Sequence, residues 1–152
     1  MIKGVVLAGG LATRLPNKAL LPLHNGMPAI TSGIDLLLNN LIRDVHIIVP
    51  PNSAIPHVLK HFYDEEFTYV EQPSALGVPA AISQMSPRYV QPGDIFVVVY
   101  CDNVYGQHNI PHTITRSFHT CQLITNSRAA HLSKYENCTW KRQSDSLMCV
   151  AG

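Results

Sequence analysis

The chain has 152 residues, a formal net charge of +1 and a hydrophobic content of 46%. A chain of this length buries roughly two thirds of its unfolded surface, and this apolar content is sufficient for one globular core. Because the charge is nearly balanced and no basic run is longer than two residues, the composition argues against nucleic acid and against an anionic membrane surface as partners.

Residues 5–23, VVLAGGLATRLPNKALLPL, predict a strand that runs into a glycine loop. Open α/β sheets bind ligands at such turns, and glycines let backbone N–H groups approach a phosphate closely. The loop also carries a hydroxyl, a guanidinium and an ammonium group, on Thr13, Arg14 and Lys18. We therefore predict a triphosphate site here, and the alternative is a plain strand-to-helix turn with surface cations.

Two familiar phosphate motifs do not fit this loop. A dinucleotide-binding fingerprint needs glycines spaced G-x-G-x-x-G, which the loop lacks. A P-loop needs a lysine followed by serine or threonine, whereas Lys18 is followed by Ala19.

Residues 28–100 predict alternating helices and strands. Apolar residues at intervals of three and four indicate a helix over 28–41, and shorter helices are expected over 55–62 and 78–85. Apolar runs predict strands at 45–49, 67–70 and 95–100. The alternation is typical of a Rossmann-like α/β fold, in which a mostly parallel sheet is covered by helices on both faces and binds ligands at the carboxyl ends of its strands.

Beyond Asn109 the pattern changes. Residues 111–118 can form a helix, and shorter, more polar runs indicate strands at 121–124, 129–135 and 147–150. We expect these strands to form a small antiparallel C-terminal extension.

Two further loops at predicted strand ends carry polar residues. Gln72 follows the third strand and offers the paired donor and acceptor that suit the edge of a nucleobase, unless it is a solvated loop residue. Asp102 and Asn103 follow the fourth strand, where a carboxylate is well placed to hold Mg²⁺ beside phosphates; the alternative is a simple turn.

Together these motifs resemble those of the sugar-phosphate nucleotidyltransferases, the group that includes glucose-1-phosphate thymidylyltransferase. Residues 7–10 and 13–15 fit the L-A-G-G-x-G-T-R-L signature, and Lys18 and Pro22 fit the K-x-L-x-P that follows it. The chain departs from the pattern at Ala12, which replaces a glycine, and in the short spacer of three residues between Arg14 and Lys18.

The resemblance extends to the two later loops. Gln72, Pro73 and Gly77 fit a Q-P-x(n)-G segment that holds the base. Asp102 and Asn103 fit a G-D-N motif whose aspartate is a magnesium ligand, with Cys101 in the place of the glycine.

The resemblance implies an enzyme that transfers a nucleoside monophosphate from a nucleoside triphosphate to a sugar 1-phosphate, giving an activated nucleotide sugar and pyrophosphate, with Mg²⁺ as cofactor. It implies that Arg14 and Lys18 are catalytic and that Asp102 binds the metal. The implied nucleotide-binding residues are Leu7, Ala8, Gly9, Gly10, Leu11, Thr13, Gln72, Pro73 and Gly77. Two alternatives remain: a cytidylyltransferase or guanylyltransferase acting on another phosphorylated acceptor, for which the short spacer is typical, and a non-catalytic nucleotide-binding protein.

The resemblance also predicts how the chain is organised. We expect a single nucleotidyltransferase-like domain over 1–152, with a nucleotide-binding half at 1–108 and a partial sugar-binding half at 109–152. Residues 148–152 are similar to the strand that precedes the family's second acidic metal ligand, which lies beyond Gly152. A truncated form, a catalytically incomplete variant and an enzyme with one acidic ligand are all compatible with this sequence, and a homo-oligomer could complete the site.

The remaining signals predict a cytoplasmic protein with reduced thiols. The start MIKGVVLAGG is too quickly broken by glycine for a signal peptide, and no apolar run approaches the ~20 residues of a membrane span. The four cysteines contain no C-x-x-C pair, which argues against a structural zinc site and a disulfide framework. His57 and His61 share helical spacing, but no H-E-x-x-H pattern supports zinc.

Overall fold

The computed structural model describes residues 1–10, 17–73, 85, 91, 94–106 and the backbone of 148–150. Five parallel strands form one sheet in the order β3-β2-β1-β4-β5. The strands are β1 (Ile2–Leu7), β2 (Val45–Val49), β3 (Thr68–Glu71), β4 (Ile95–Tyr100) and β5 (Met148–Val150). The predicted Rossmann-like parallel sheet is confirmed.

Three helical segments accompany the sheet within the described residues. They are a 3₁₀ turn (Lys18–Leu20), α1 (Ala29–Asn39) and α2 (Ile55–Leu59). The predicted helices at 28–41 and 55–62 are therefore confirmed with shorter bounds, whereas those at 78–85 and 111–118 lie outside the described residues except for Met85. No helix among the described residues is long and apolar enough to cross a bilayer.

The strand order reverses between β1 and β4. The chain adds β2 and then β3 on one side of β1, and it returns to place β4 on the other side. Because successive crossovers then leave the sheet in opposite directions, a crevice is expected outside the carboxyl ends of β1 and β4. This is the edge of the sheet at which the glycine loop and Asp102 begin.

The sheet is buried on both faces, as its apolar strands predict. One face packs against α1, whose Ile30, Ile34 and Leu37 are fully buried. The other face carries a second cluster that includes Val5 and Phe96. The rigid sheet thus fixes the positions at which the strand-end loops start.

The direction of β5 corrects the antiparallel extension that we expected over 147–150. Met148 and Cys149 pair with Phe96 and Val97 of β4 in parallel register. A parallel neighbour needs a connection of a dozen residues or more, and residues 101–147 are long enough to supply one. The other two strands expected in the extension, at 121–124 and 129–135, lie outside the described residues.

A charged cluster around the buried Lys3 and Asp94 joins the amino ends of the strands, opposite the crevice. Lys3 Nζ lies 3.1 Å from Asp44 Oδ2 and 3.4 Å from Asp94 Oδ2, and the terminal ammonium of Met1 lies 3.0 Å from Asp94 Oδ1. The backbone N–H of Gln91 and the amino terminus lower the pKa of Asp94 to about 2. These charges neutralise one another and stabilise the register of β1 with β4.

His46 extends this cluster into β2. Its side chain is fully buried, and Nε2 lies 2.9 Å from Asp44 Oδ1. Burial lowers the pKa of His46, although Asp44 opposes the shift. The neutral imidazole is therefore the form that the fold accommodates.

Candidate functional site

The loops after β1 and β4 start side by side. Leu7, the last residue of β1, pairs with Tyr100, the last residue of β4. The N–H of Cys101 then donates to the carbonyl of Leu7 at 3.2 Å, and the N–H of Ala8 donates to the carbonyl of Ile48 at 2.8 Å. Two of the loops that the sequence singled out therefore leave the sheet from neighbouring positions.

Gly9 and Gly10 follow β1 and have different surroundings. Neither has a φ in the left-handed region, so backbone conformation does not require glycine at either position. A Cβ at Gly9 would lie 2.5 Å from Gln72 Oε1, whereas a Cβ at Gly10 would meet no atom of the described residues within 4 Å. Packing thus favours glycine at position 9, and Gly10 is exposed and has no side chain between its backbone and a ligand.

Gln72 brings the second predicted loop to the glycine loop. Its N–H donates to the carbonyl of Val49 at 2.8 Å, which continues the pairing of β3 with β2. The residue is only 6% exposed, and its amide packs against Gly9, whereas the next residue, Pro73, is exposed. Gln72 is therefore a buried polar side chain next to the glycine loop and not a solvated loop residue.

Lys18 and Asp102 make the central contact of the site. Lys18 Nζ donates to Asp102 Oδ2 at 2.6 Å, although the two residues are 84 positions apart in the sequence. Each side chain is 39% exposed, so the pair remains accessible from solvent. The hydrogen bond to Asp102 raises the pKa of Lys18, which keeps the ammonium charged.

The local chain geometry explains why Lys18 reaches this position. Asn17 adopts a left-handed conformation with φ of 55°, and the 3₁₀ turn begins at the next residue. Ala19 is buried in the core and Leu20 packs against it. The two apolar residues anchor the turn, so that Lys18 at its start is held next to the end of β4.

Tyr105 holds the loop that carries Asp102. Its hydroxyl accepts hydrogen bonds from the N–H of Tyr100 at 2.7 Å and from Asn103 Nδ2 at 3.4 Å. Its own N–H donates to Ser32 Oγ in α1 at 2.7 Å. The sequence analysis did not identify Tyr105 or Ser32, and the only signal was a tyrosine with a polar tip five residues beyond a strand end.

Cys101 begins the loop that carries Asp102, and its side chain packs in the hydrophobic core. The thiol is buried in the cluster on the α1 face of the sheet, and burial raises its pKa to about 11. A protonated thiol is a poor nucleophile and a poor metal ligand. The cysteine in the place of the family's glycine therefore acts as an apolar packing residue.

The donor atoms at this site suit magnesium better than zinc. Asp102 and Asn103 offer oxygen atoms, which Mg²⁺ prefers. No group of three or more His, Cys, Asp or Glu side chains that could hold a metal occurs in the described part of the chain. Because Mg²⁺ commonly uses one or two carboxylates and completes its shell with water and phosphate oxygens, a single aspartate fits this group.

The structure accounts for only part of the predicted residue set. The described members are the following, of which Leu7 ends β1 and the others belong to the strand-end loops or to the 3₁₀ turn: Leu7, Ala8, Gly9, Gly10, Lys18, Gln72, Pro73 and Asp102. Leu7 is half-buried and Ala8 is buried, and the Leu7 carbonyl and the Ala8 N–H already bond to Cys101 and Ile48. Leu11, Ala12, Thr13, Arg14 and Gly77 lie outside the described residues.

Comparison with known proteins agrees with this geometry. The sequence profile of a family described as the MobA-like NTP transferase domain matches residues 4–137. No curated protein matches the chain significantly.

Two solved structures share the fold. A protein assigned as a glucose-1-phosphate thymidylyltransferase from Bacillus anthracis, solved in complex with sucrose, has 27% identity and a TM-score of 0.64 over 76% of this chain and 50% of its own. Rv0371c from Mycobacterium tuberculosis H37Rv has 21% identity and a TM-score of 0.51 over 76% of this chain and 57% of its own, a likeness of fold alone. The chain thus spans about half the length of the structures that it matches.

The matched range includes the glycine loop, Lys18, Gln72 and Asp102, and the parallel sheet presents the described members of this set at one edge. The chain belongs to the family of MobA-like NTP transferase domains.

Proposed function

We propose that this protein transfers a nucleoside monophosphate from a nucleoside triphosphate to a sugar 1-phosphate. The observation that carries the proposal is the contact between Lys18 and Asp102 at the strand-order reversal, near the exposed Gly10 that follows β1. A cation for phosphates and a carboxylate for a metal thus occur together where an α/β sheet binds its ligands.

The chemistry that we propose is an in-line displacement. A phosphate oxygen of the acceptor attacks the α-phosphorus of the triphosphate, the bond from that phosphorus to the β-bridging oxygen breaks, and pyrophosphate leaves with the electron pair. The acceptor is already an anion, so no general base is needed. The protein has to align two anions that repel each other and to stabilise the charge on the α-phosphate.

Lys18 and Arg14 supply positive charge in this scheme. Lys18 is the better supported of the two, because its ammonium is charged and lies at the crevice. Backbone N–H groups of the glycine loop from Gly9 to Thr13 bind the triphosphate, whereas Leu7 and Ala8, whose backbones bond within the sheet, contact the nucleotide from the end of β1. The exposure of Gly10 supports this role, since a side chain there would stand between the backbone and a phosphate.

Asp102 is the residue that would hold the metal. Mg²⁺ supplies charge neutralisation of the phosphate oxygens and of the leaving pyrophosphate when it is bound. Tyr105 fixes the loop that carries this carboxylate, which limits the rearrangement needed on binding.

Gln72, Pro73 and Gly77 are proposed to contact the base. The amide of Gln72 is almost fully buried and packs against Gly9, so it would meet a base edge from a fixed position. A hydrogen bond made in such a low-dielectric environment discriminates well between bases, because a mismatched base leaves a buried polar group unpaired.

A second candidate is transfer of a guanylyl or cytidylyl group to a phosphorylated acceptor that is not a sugar 1-phosphate. Two observations favour it: the family is that of the MobA-like NTP transferase domains, and the spacer between Arg14 and Lys18 is short. The two candidates share the same attack on the α-phosphorus and differ only in the acceptor.

The proposal includes the organisation of the chain. We assign residues 1–108 to nucleotide binding and residues 109–152 to a part of the acceptor site, and a second copy of the chain could complete that site. The proposed substrates are small cytoplasmic metabolites, which supports a cytoplasmic location.

Pyrophosphate release tests the proposal. The four ribonucleoside triphosphates and deoxythymidine triphosphate are each combined with Mg²⁺ and with glucose 1-phosphate, mannose 1-phosphate or choline phosphate. We expect release with one triphosphate and one sugar 1-phosphate, and none with Asp102→Asn, whose unfolding curve should match that of the wild type. Release with choline phosphate alone would favour the second candidate, and nucleotide binding without any release would overturn both.

A further inference from the structure

In the ligand-free protein, the carboxylate that is proposed to bind the metal, Asp102, already forms an ion pair with Lys18. Lys18 Nζ lies 2.6 Å from Asp102 Oδ2, a distance typical of a short charge-assisted hydrogen bond. The backbone segments that carry the two partners are held in place, because Ala19 anchors the turn of Lys18 and Tyr105 bonds the loop of Asp102. The pair is therefore a defined feature of the ligand-free site.

We propose, on the basis of the proposed function, that the ion pair with Lys18 prevents a divalent cation from binding to Asp102 until a triphosphate binds. Lys18 then bonds to a phosphate oxygen instead of Asp102. The metal and the nucleotide then bind as one unit. Lys18 has two successive partners in this scheme: the carboxylate in the ligand-free protein and a phosphate oxygen in the complex.

Electrostatics supports the exclusion step. A metal on Asp102 would lie within a few ångströms of the Lys18 ammonium, and no group of three or more potential metal-binding side chains occurs among the described residues to offset that charge. A unit positive charge about 4 Å from a divalent cation weakens its binding by at least about tenfold, even when water screens the interaction strongly.

The release step follows from the chemistry of the triphosphate. Its oxygens are anionic acceptors that a lysine ammonium binds as readily as it binds a carboxylate. Both partners of the pair are 39% exposed, so the lysine can exchange one acceptor for another without unfolding of the core. Once the ammonium has moved to a phosphate, Asp102 is free for the metal.

Thermodynamic linkage relates the affinity of the site for the metal to its affinity for the triphosphate. If the triphosphate raises the affinity of the site for the metal, the metal raises the affinity for the triphosphate by the same factor. Removing the lysine should increase the affinity of the ligand-free site for the metal and should reduce this coupling.

Mn²⁺ binding to the ligand-free protein is the direct test. Free Mn²⁺ is measured by electron paramagnetic resonance during titration of the wild type, Lys18→Met and Lys60→Met, and then again with a non-hydrolysable α,β-methylene triphosphate present. Lys60 is an exposed lysine at the end of α2 and is the matched control. We expect Lys18→Met to bind Mn²⁺ about tenfold more tightly than the wild type and Lys60→Met to bind it equally.

Further variants identify the carboxylate and check folding. The higher Mn²⁺ affinity of Lys18→Met should disappear in the double variant that also carries Asp102→Asn. Lys18→Arg keeps the positive charge and should bind Mn²⁺ as weakly as the wild type. The triphosphate analogue should increase the Mn²⁺ affinity of the wild type more than that of Lys18→Met. Thermal unfolding of each variant shows that the protein used is folded, and Lys18→Gln replaces Lys18→Met if the latter is not.

Equal Mn²⁺ affinity in the wild type and Lys18→Met would overturn the inference. The absence of Mn²⁺ binding by both proteins would overturn it too, and so would a higher Mn²⁺ affinity of Lys18→Met that persists when Asp102→Asn is added. These outcomes are independent of turnover. Pyrophosphate release by a wild type that fails the Mn²⁺ test would leave the proposed function standing, whereas the expected Mn²⁺ pattern without any release would remove the function and keep the exclusion by Lys18.

Discussion

Alanine at position 9 would collide with the side chain of Gln72. The added Cβ would lie 2.5 Å from Gln72 Oε1, 3.2 Å from Gln72 Cβ and 3.3 Å from Ile48 Cγ2. Forcing an extra methyl group into a packed region costs about 1–3 kcal/mol. Alanine also makes the unfolded chain less flexible than glycine does, which stabilises the folded state by about 0.4–1 kcal/mol and offsets part of this cost. We expect Gly9→Ala to lower the free energy of unfolding by about 1–2 kcal/mol, or the Tm by roughly 2–8 °C.

Gly10→Ala is the matched control, since a Cβ at that position meets no atom within 4 Å in the part of the chain that the structure describes. Urea and thermal unfolding should show a change of no more than about 0.5 kcal/mol for this variant. Its triphosphate affinity, measured by calorimetry, should nevertheless fall, because the methyl group occupies the space in which a phosphate would approach the backbone. Stability and binding are thus expected to respond to different glycines.

A double-mutant cycle identifies the source of the cost at Gly9. Gln72→Ala removes the amide that the new methyl group would meet, so Gly9→Ala should cost less in that background than in the wild type. Equal costs in the two backgrounds, or equal unfolding curves for Gly9→Ala and Gly10→Ala, would refute the proposed contact between the glycine loop and Gln72.

Three further predictions concern the cation, the Asp102 loop and the buried histidine. Lys18→Ala should lower the turnover number for pyrophosphate release by about 10²–10³-fold, the scale of one lost transition-state donor, while Lys60→Ala retains it; near-normal turnover would exclude a catalytic Lys18. Tyr105→Phe removes the hydroxyl that accepts hydrogen bonds from the Tyr100 N–H and from Asn103 Nδ2, and it should cost about 1–3 kcal/mol in urea unfolding, a loss that an unchanged curve would disprove. Burial lowers the pKa of His46, so the unfolded state binds the proton more readily than the folded state does. The free energy of unfolding should therefore fall as the pH drops through about 6.5, the pKa of an unperturbed histidine. His46→Gln should flatten this pH dependence, and an unchanged slope would contradict a buried, neutral His46.

The sequence predicted the strands and helices of the described sheet because their residues carry strong periodic signals. The apolar runs that form β1, β2 and β4 and the apolar stripe of α1 each indicate one kind of element. The direction of β5 was not predictable from three residues, since a short run indicates a strand but not the side or the sense in which it pairs. Register and direction depend on the connection and on the neighbouring strand.

For the candidate site, sequence analysis identified the separate residues better than their contacts. Lys18, Gln72 and Asp102 were each singled out by residue type and by position at a strand end. The ion pair between Lys18 and Asp102 was not predicted, because it joins residues 84 positions apart through the parallel pairing of β1 with β4. Tyr105 was missed for a related reason, since its role depends on a hydrogen bond to a backbone group that sequence patterns do not reveal.

The measurement that tests the central claim most directly is a crystal structure of the protein with Mg²⁺ and an α,β-methylene nucleoside triphosphate. We predict that the triphosphate lies over Gly10, that Lys18 Nζ has left Asp102 for a phosphate oxygen, that Asp102 binds the metal, and that the base contacts Gln72. A nucleotide bound away from the carboxyl ends of β1 and β4, or a bound triphosphate beside an unbroken pair of Lys18 and Asp102, would contradict the claim.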